Sequence, residues 1–97
     1  MRKLSAIKKI IRDHKAILRD RYSISKIGVF GSYARGDTHN GSDVDVIVEF
    51  SEPISLIQLV SLENYLTGIV GVKVDVVPKE DIRRELKDTN LKEAVYV

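Results

Sequence analysis

The sequence predicts an α+β fold, equally describable as α/β: a small mixed β-sheet with helices packed on one face. Three observations predict it. Apolar residues recur at helical spacing near the N-terminus and again in the middle of the chain, two segments alternate with period two, and clusters of turn formers separate these stretches. Ninety-seven residues, 43% hydrophobic and 31% charged, suffice for one core, so residues 1–97 are read as a single domain. The absence of cysteine excludes a disulfide framework, a thiolate nucleophile and a cysteine-ligated metal, and it fits a reducing, cytoplasmic location. No apolar run approaches the roughly 18 to 20 residues of a membrane span. The N-terminus interleaves Lys8, Lys9, Arg12 and Asp13 with its apolar residues, unlike a signal peptide.

Each element follows from its own pattern. Ile7, Ile10, Ile11, Ile17 and Leu18 recur at spacings of three, four and seven, which predicts one amphipathic helix over about residues 5–21. Lys26–Phe30 is short and apolar and runs into Gly31-Ser32, the pattern of a buried strand stopping at a glycine turn. Residues 37–42 are rich in turn formers. Residues 43–50 then alternate, placing Val44, Val46, Val48 and Phe50 on one face and Asp43, Asp45, Ile47 and Glu49 on the other. Pro53 suits a helix start, and Leu56, Leu59, Val60, Leu62 and Leu66 keep helical spacing until Gly68 and Gly71. Val72–Val77 alternates again before Pro78 closes it, with Lys73 and Asp75 opposite Val72, Val74 and Val76. Ile82 and Leu86 predict a charged helix over 79–87, and residues 91–97 form an apolar tail of undetermined type. Helices cover the valine face in this arrangement, and the opposite face stays open.

Charge is unevenly spread. Residues 1–21 hold eight Lys/Arg against two Asp, a net +6, whereas the remainder holds eight against twelve acids, a net −4. A basic helix of this kind is either a solvated face or an electrostatic footprint for an acidic partner.

The chemistry concentrates in two short stretches. In Asp43-Val44-Asp45 the two carboxylates point to the same side of a strand, about 6.5 to 7 Å apart at their Cα atoms, where they can share a cation. Asp75 has the same parity on another strand, so three carboxylates can converge on one surface. Oxygen donors without His or Cys favour magnesium or manganese over zinc. Upstream, Gly31 permits close backbone approach to a ligand, Ser32 adds a hydroxyl, and Arg35 adds a guanidinium suited to phosphate or to a nearby carboxylate. Taken singly, each of these is an ordinary feature of a turn or a strand edge.

Together, Gly31-Ser32, ten intervening residues and Asp43-Val44-Asp45 resemble the G-S-x10-D-x-D signature of the DNA polymerase β-like nucleotidyltransferase superfamily. The run GSYARGDTHNGSDVDVIVEF is similar to that of the minimal nucleotidyltransferases, or MNT proteins, often encoded beside a HEPN-domain partner as the antitoxin of a toxin–antitoxin pair. Asp37 stands where glutamate often follows the Arg-Gly pair of that family. The resemblance implies that Asp43, Asp45 and Asp75 hold two magnesium ions, that Asp75 is also the general base, and that Gly31 and Ser32 hold the β and γ phosphates of ATP. Arg35 and Ser42 are implied as further phosphate or supporting contacts. It implies transfer of AMP to a tyrosine hydroxyl of a HEPN-domain ribonuclease toxin, with release of pyrophosphate. Two alternatives are an antitoxin that acts only by covering its partner, and a nucleotidyltransferase acting on a small molecule or a nucleic-acid end. Because the family site consumes nearly the whole chain, the acceptor is expected to bring its own surface, and the basic first helix is a candidate for meeting it.

Other residues receive blander readings. His14 is read as a packing or interface residue, His39 as a solvated loop residue, and Lys73 as a weak phosphate candidate. Tyr33 is equally suited to stacking on a nucleobase and to packing beside the turn. Tyr22, Tyr65 and Tyr96 are read as helix-end or core-edge aromatics.

Overall fold

The computed structural model describes residues 4–36, 43–81 and 94–97. The N-terminal helical pattern forms two helices, α1 (Leu4–Asp13) and α2 (Lys15–Tyr22), instead of one. His14 causes the break. Its ring Nδ1 lies 2.7 Å from the Ile10 carbonyl, and since a carbonyl only accepts, that nitrogen carries the proton. The side chain thus occupies the acceptor that a continuing helix would offer to the His14 backbone, whose N–H turns instead to Ile11 at 3.0 Å. α2 ends at Ser23, a non-glycine residue in left-handed conformation with φ 57°. The corner is held from across the sheet: the Ser23 carbonyl accepts from the Ser51 backbone N–H at 2.7 Å, and its hydroxyl donates to Glu52 at 3.0 Å.

Strand β1 (Ile24–Phe30) pairs antiparallel with β2 (Val44–Phe50), and β2 pairs parallel with β3 (Val74–Pro78). The apolar tail supplies a short strand, β4 (Val95–Tyr96), antiparallel to β1, and the sheet order is β3-β2-β1-β4. A parallel pair needs a crossover, supplied here by α4 (Leu56–Val70). The start of α4 is set by Ser55 rather than Pro53. The Ser55 hydroxyl accepts from the Gln58 N–H at 3.1 Å and the Gln58 side chain accepts from the Ser55 N–H at 2.9 Å, a capping box worth about 1 kcal/mol. The helix passes through Gly68 and stops at Gly71, whose φ of 81° closes the last turn.

One core joins the helices to the valine face: Ile7, Ile11, Leu18 and Tyr22 meet Val44, Val46, Val48, Leu62, Leu66, Val74 and Val76. The alternation expected of β2 and β3 is therefore as read. The opposite face is not open along its whole length. Ile47 is 1% exposed and clusters with Phe30, Val77 and Ala94, so the sheet buries a second, smaller apolar patch beside its carboxylates. After Pro78 the chain forms a 3-10 turn at Lys79–Asp81; the rest of the helix expected over 79–87 lies outside the described residues. No helix among the described residues is long and apolar enough to cross a membrane.

Candidate active site

The site is built where three chain segments meet at one end of the sheet. β1 runs toward this end and stops at Gly31, while β2 and β3 leave from it carrying Asp45 and Asp75. The Val44 N–H donates to the Lys73 carbonyl at 2.9 Å, which fastens the start of β2 to the residue ahead of β3 and draws Asp43 toward Asp75. In the parallel register Asp45 lies directly opposite Asp75, and in the antiparallel one it lies opposite Phe30. Period-two geometry thus gathers residues 30 positions apart.

The carboxylates are arranged unequally. Asp43 stands close enough to Asp75 for its charge to act on that carboxyl. Burial pushes the Asp75 carboxyl above the ordinary aspartate value of 3.8; the charge of Asp43 and, more weakly, that of Glu63 push the same way, and Lys73 opposes them. Lys73 Nζ stands 3.9 Å from Asp43 Oδ2, so the weak phosphate candidate is a partner of the first aspartate in this structure. Asp45 points instead at the glycine turn. Gly31 has φ 75°, and a Cβ placed there would overlap Asp45 Oδ2, so this position requires glycine both for its backbone conformation and for the approach of the carboxylate.

Immediately after Gly31, the backbone of Ser32–Arg35 forms a single helical turn, α3. Tyr33 in this turn is 3% exposed and packs into the main core, which removes it from stacking on a base. Ser42, Asp37 and His39 lie outside the described residues. His14 packs edge-on to Tyr65 with ring centroids 6.1 Å apart, consistent with a packing role.

Among the described residues no three carboxylate or imidazole groups stand close enough to form a ready-made cation cage. What the aspartates offer a hard cation is a set of oxygen donors only, and such donors fit magnesium chemistry.

Two α4 side chains that sequence reasoning passed over also shape the site. β3 is the edge strand next to β2, and its outward N–H groups at Val74 and Val76 donate to Thr67 Oγ1 at 3.0 Å and to Glu63 Oε2 at 3.1 Å. These bonds bracket Asp75. The signal was present: Glu63 is the lone charged residue of α4, and an isolated carboxylate in an apolar helix needs a partner.

A profile of the nucleotidyltransferase domain family matches residues 11–97, most of the chain. The chain belongs to this family. The protein is a nucleotidyltransferase and shares 44% identity with the protein adenylyltransferase MntA of Thermococcus cleftensis over 97% of this chain and 95% of that one. It is 43% identical over the full length of both chains to a Methanocaldococcus jannaschii protein provisionally named protein adenylyltransferase MJ1217. A solved structure described as a minimal nucleotidyltransferase superposes with a TM-score of 0.80 at 32% identity, covering 97% of this chain and 95% of that one. The fold also matches a complex of a tri-AMPylated Shewanella oneidensis HEPN toxin with its MNT antitoxin, with a TM-score of 0.68 at 20% identity over 93% of this nucleotidyltransferase and 70% of that chain.

Proposed function

We propose that this nucleotidyltransferase transfers AMP from ATP to a tyrosine hydroxyl of a HEPN-domain toxin and so silences it. The observation that carries the reading is the placing of Asp43, Asp45 and Asp75 at the starts of two paired strands, with Asp45 against the Gly31 turn, in a chain whose near-full-length relatives are named protein adenylyltransferases. In the reaction the tyrosine oxygen forms a bond to the α-phosphorus, the bond from that phosphorus to the bridging oxygen breaks, and pyrophosphate leaves. Asp75, whose affinity for a proton is raised by burial and by Asp43, accepts the tyrosine proton. Gly31 and Ser32 hold the β and γ phosphates, the glycine by letting the backbone approach and the serine by its hydroxyl, with Arg35 and Ser42 as supporting contacts. Asp43, Asp45 and Asp75 would hold two magnesium ions, which when bound supply positive charge against the entering and leaving oxygens. Lys73, with its Nζ 3.9 Å from Asp43 Oδ2, helps hold that carboxylate in place.

Incubation with the HEPN-domain protein encoded beside it, ATP and magnesium is expected to add one or more AMP masses to that protein. Asp43→Ala or Asp45→Ala should abolish the adduct and leave the thermal midpoint near that of the wild type, because each removes a half-exposed carboxylate from a crowded group. An active partner that gains no mass sinks the proposal. A variant without adduct that still protects cells fully would establish neutralisation by binding instead.

A further inference from the structure

The chain exposes apolar surface at the end of the sheet away from its carboxylates. Leu56, Ile57 and Val60, in the first turns of α4, are 75%, 81% and 48% exposed. Leu56 also borders an open groove of about 620 Å³ lined by Phe50, Ile54, Leu59 and Pro78. Phe50 and Pro78 close β2 and β3, whereas Asp45 and Asp75 lie near their beginnings, so the groove stands roughly 17 Å from the site along β2 and roughly 10 Å along β3. The two surfaces are therefore separate.

Charge decides what can sit there. Glu52, Glu80 and Asp81 line the groove, and no lysine or arginine does so among the described residues. Along α4 the single charged side chain is Glu63, and it is bonded to the Val76 N–H, so the exposed positions Ile57, Ser61, Asn64 and Gly68 present an uncharged helical face. In a two-fold pairing of this patch with itself, Glu52, Glu80 and Asp81 of each copy would face one another, with no lysine or arginine among the described lining residues to offset them. A favourable occupant must bring aliphatic side chains for Leu56, Ile57 and the groove, together with positive charge for its rim.

We infer that this surface seats an amphipathic helix of the HEPN-domain partner, one whose aliphatic stripe is flanked by lysine or arginine. The identity of the partner rests on the function proposed above; the chemistry of its docking segment rests on the groove. Docking at this distance leaves the carboxylate end free to receive the acceptor hydroxyl, so binding and chemistry are carried by different ends of one sheet.

Titration calorimetry of the full chain against the HEPN-domain protein tests this. Leu56→Asp/Ile57→Asp is expected to raise Kd at least 100-fold, and Glu52→Lys/Glu80→Lys/Asp81→Lys at least tenfold, with circular dichroism unchanged because these positions lie outside the core. The rim variant keeps the test open should the aspartates disturb the helix. Affinities of both variants within threefold of the wild type overturn the inference, as does a wild-type chain that forms no complex. Concentration-dependent self-association by sedimentation that Leu56→Asp abolishes also overturns it, by making a second copy the occupant. Partner mass is read in the same samples: binding that depends on Leu56 and Ile57 supports the docking surface with or without an adduct, and a missing adduct counts only against AMP transfer.

Discussion

Asp75 shows how a single residue can be held in an unfavourable state for use. Its folded-state proton affinity is raised by burial first and by the charge of Asp43 second. Between the ordinary value of 3.8 and the raised folded value, the native chain binds more protons than the unfolded one, so stability falls as pH rises through that window. Above it, at neutral pH, the ionised pair is a standing cost. Asp75→Asn is therefore expected to melt at a higher temperature than the wild type at pH 7 in the absence of divalent cations, and the two should converge as the pH drops toward 3.8 and below. Calorimetric scans across this range check the sign; a variant less stable than the wild type at pH 7 would refute the account. The same substitution should abolish AMP transfer, which separates what the residue does for the fold from what it does for the chemistry. Gly31 belongs to the same scale. The glycine was legible from the Gly-Ser pair, but its contact with Asp45 was not, because that contact depends on how β1 registers against β2.

Among the elements, the tie between α4 and β3 matters most to the site. An edge strand presents unpaired N–H groups, and here the crossover helix takes two of them with Thr67 and Glu63. The two side chains are one helical turn apart and their donors are two strand residues apart, a match between helical rise and strand rise over a similar distance. Asp75 sits between the two donors. Thr67→Val keeps the shape and removes the acceptor. It is expected to destabilise the chain by about 1 kcal/mol and to speed amide exchange at Val74, with Thr67→Ser restoring protection. Hydrogen exchange followed by NMR measures this; unchanged exchange at Val74 in the valine variant would show that the bond does not hold the edge. Element boundaries were less legible than element types. The helix pattern over residues 5–21 hid the break at His14, since both sides of the break keep the same apolar spacing and the ring bond to Ile10 leaves no mark in periodicity. Likewise Pro53 drew attention from Ser55, although serine followed three residues later by glutamine is the stronger start signal.

For the whole molecule, charge and apolar surface are segregated. Residues 1–21 hold eight Lys/Arg against two Asp, and the described part of this basic segment, from Leu4 on, folds into α1 and α2 and leaves Lys9 and Arg12 exposed and Lys8 half-exposed. The groove at the start of α4 is acidic at its rim. A partner that meets both surfaces must be patterned in the opposite sense at each, which favours one orientation over its reverse. Reversing Lys8, Lys9 and Arg12 to glutamate is expected to weaken partner binding by about tenfold at low salt, chiefly through slower association, with the difference shrinking as ionic strength rises. Stopped-flow association at two salt concentrations reads it. Equal rates for the variant and the wild type would return the basic helices to a solvated face.

By itself the sequence determined the element types from the N-terminal helical segment to β3, the inward valines and the signature residues Gly31, Ser32, Asp43 and Asp45, because each depends on spacing within one segment. It also placed Asp75 on the right face of its strand. Only the tertiary structure decided how the aspartates are arranged: strand register set Asp45 opposite Asp75 along the backbone, and the bond from Val44 to Lys73 fastened the start of β2, where Asp43 lies, to the residue ahead of β3. The burial of Ile47, the strand made by Val95 and Tyr96, and the bonds from Glu63 and Thr67 to the β3 edge arise in the same way. Each is a contact between residues far apart in the chain, and periodicity, which is a local property, does not encode which distant partner a side chain will meet.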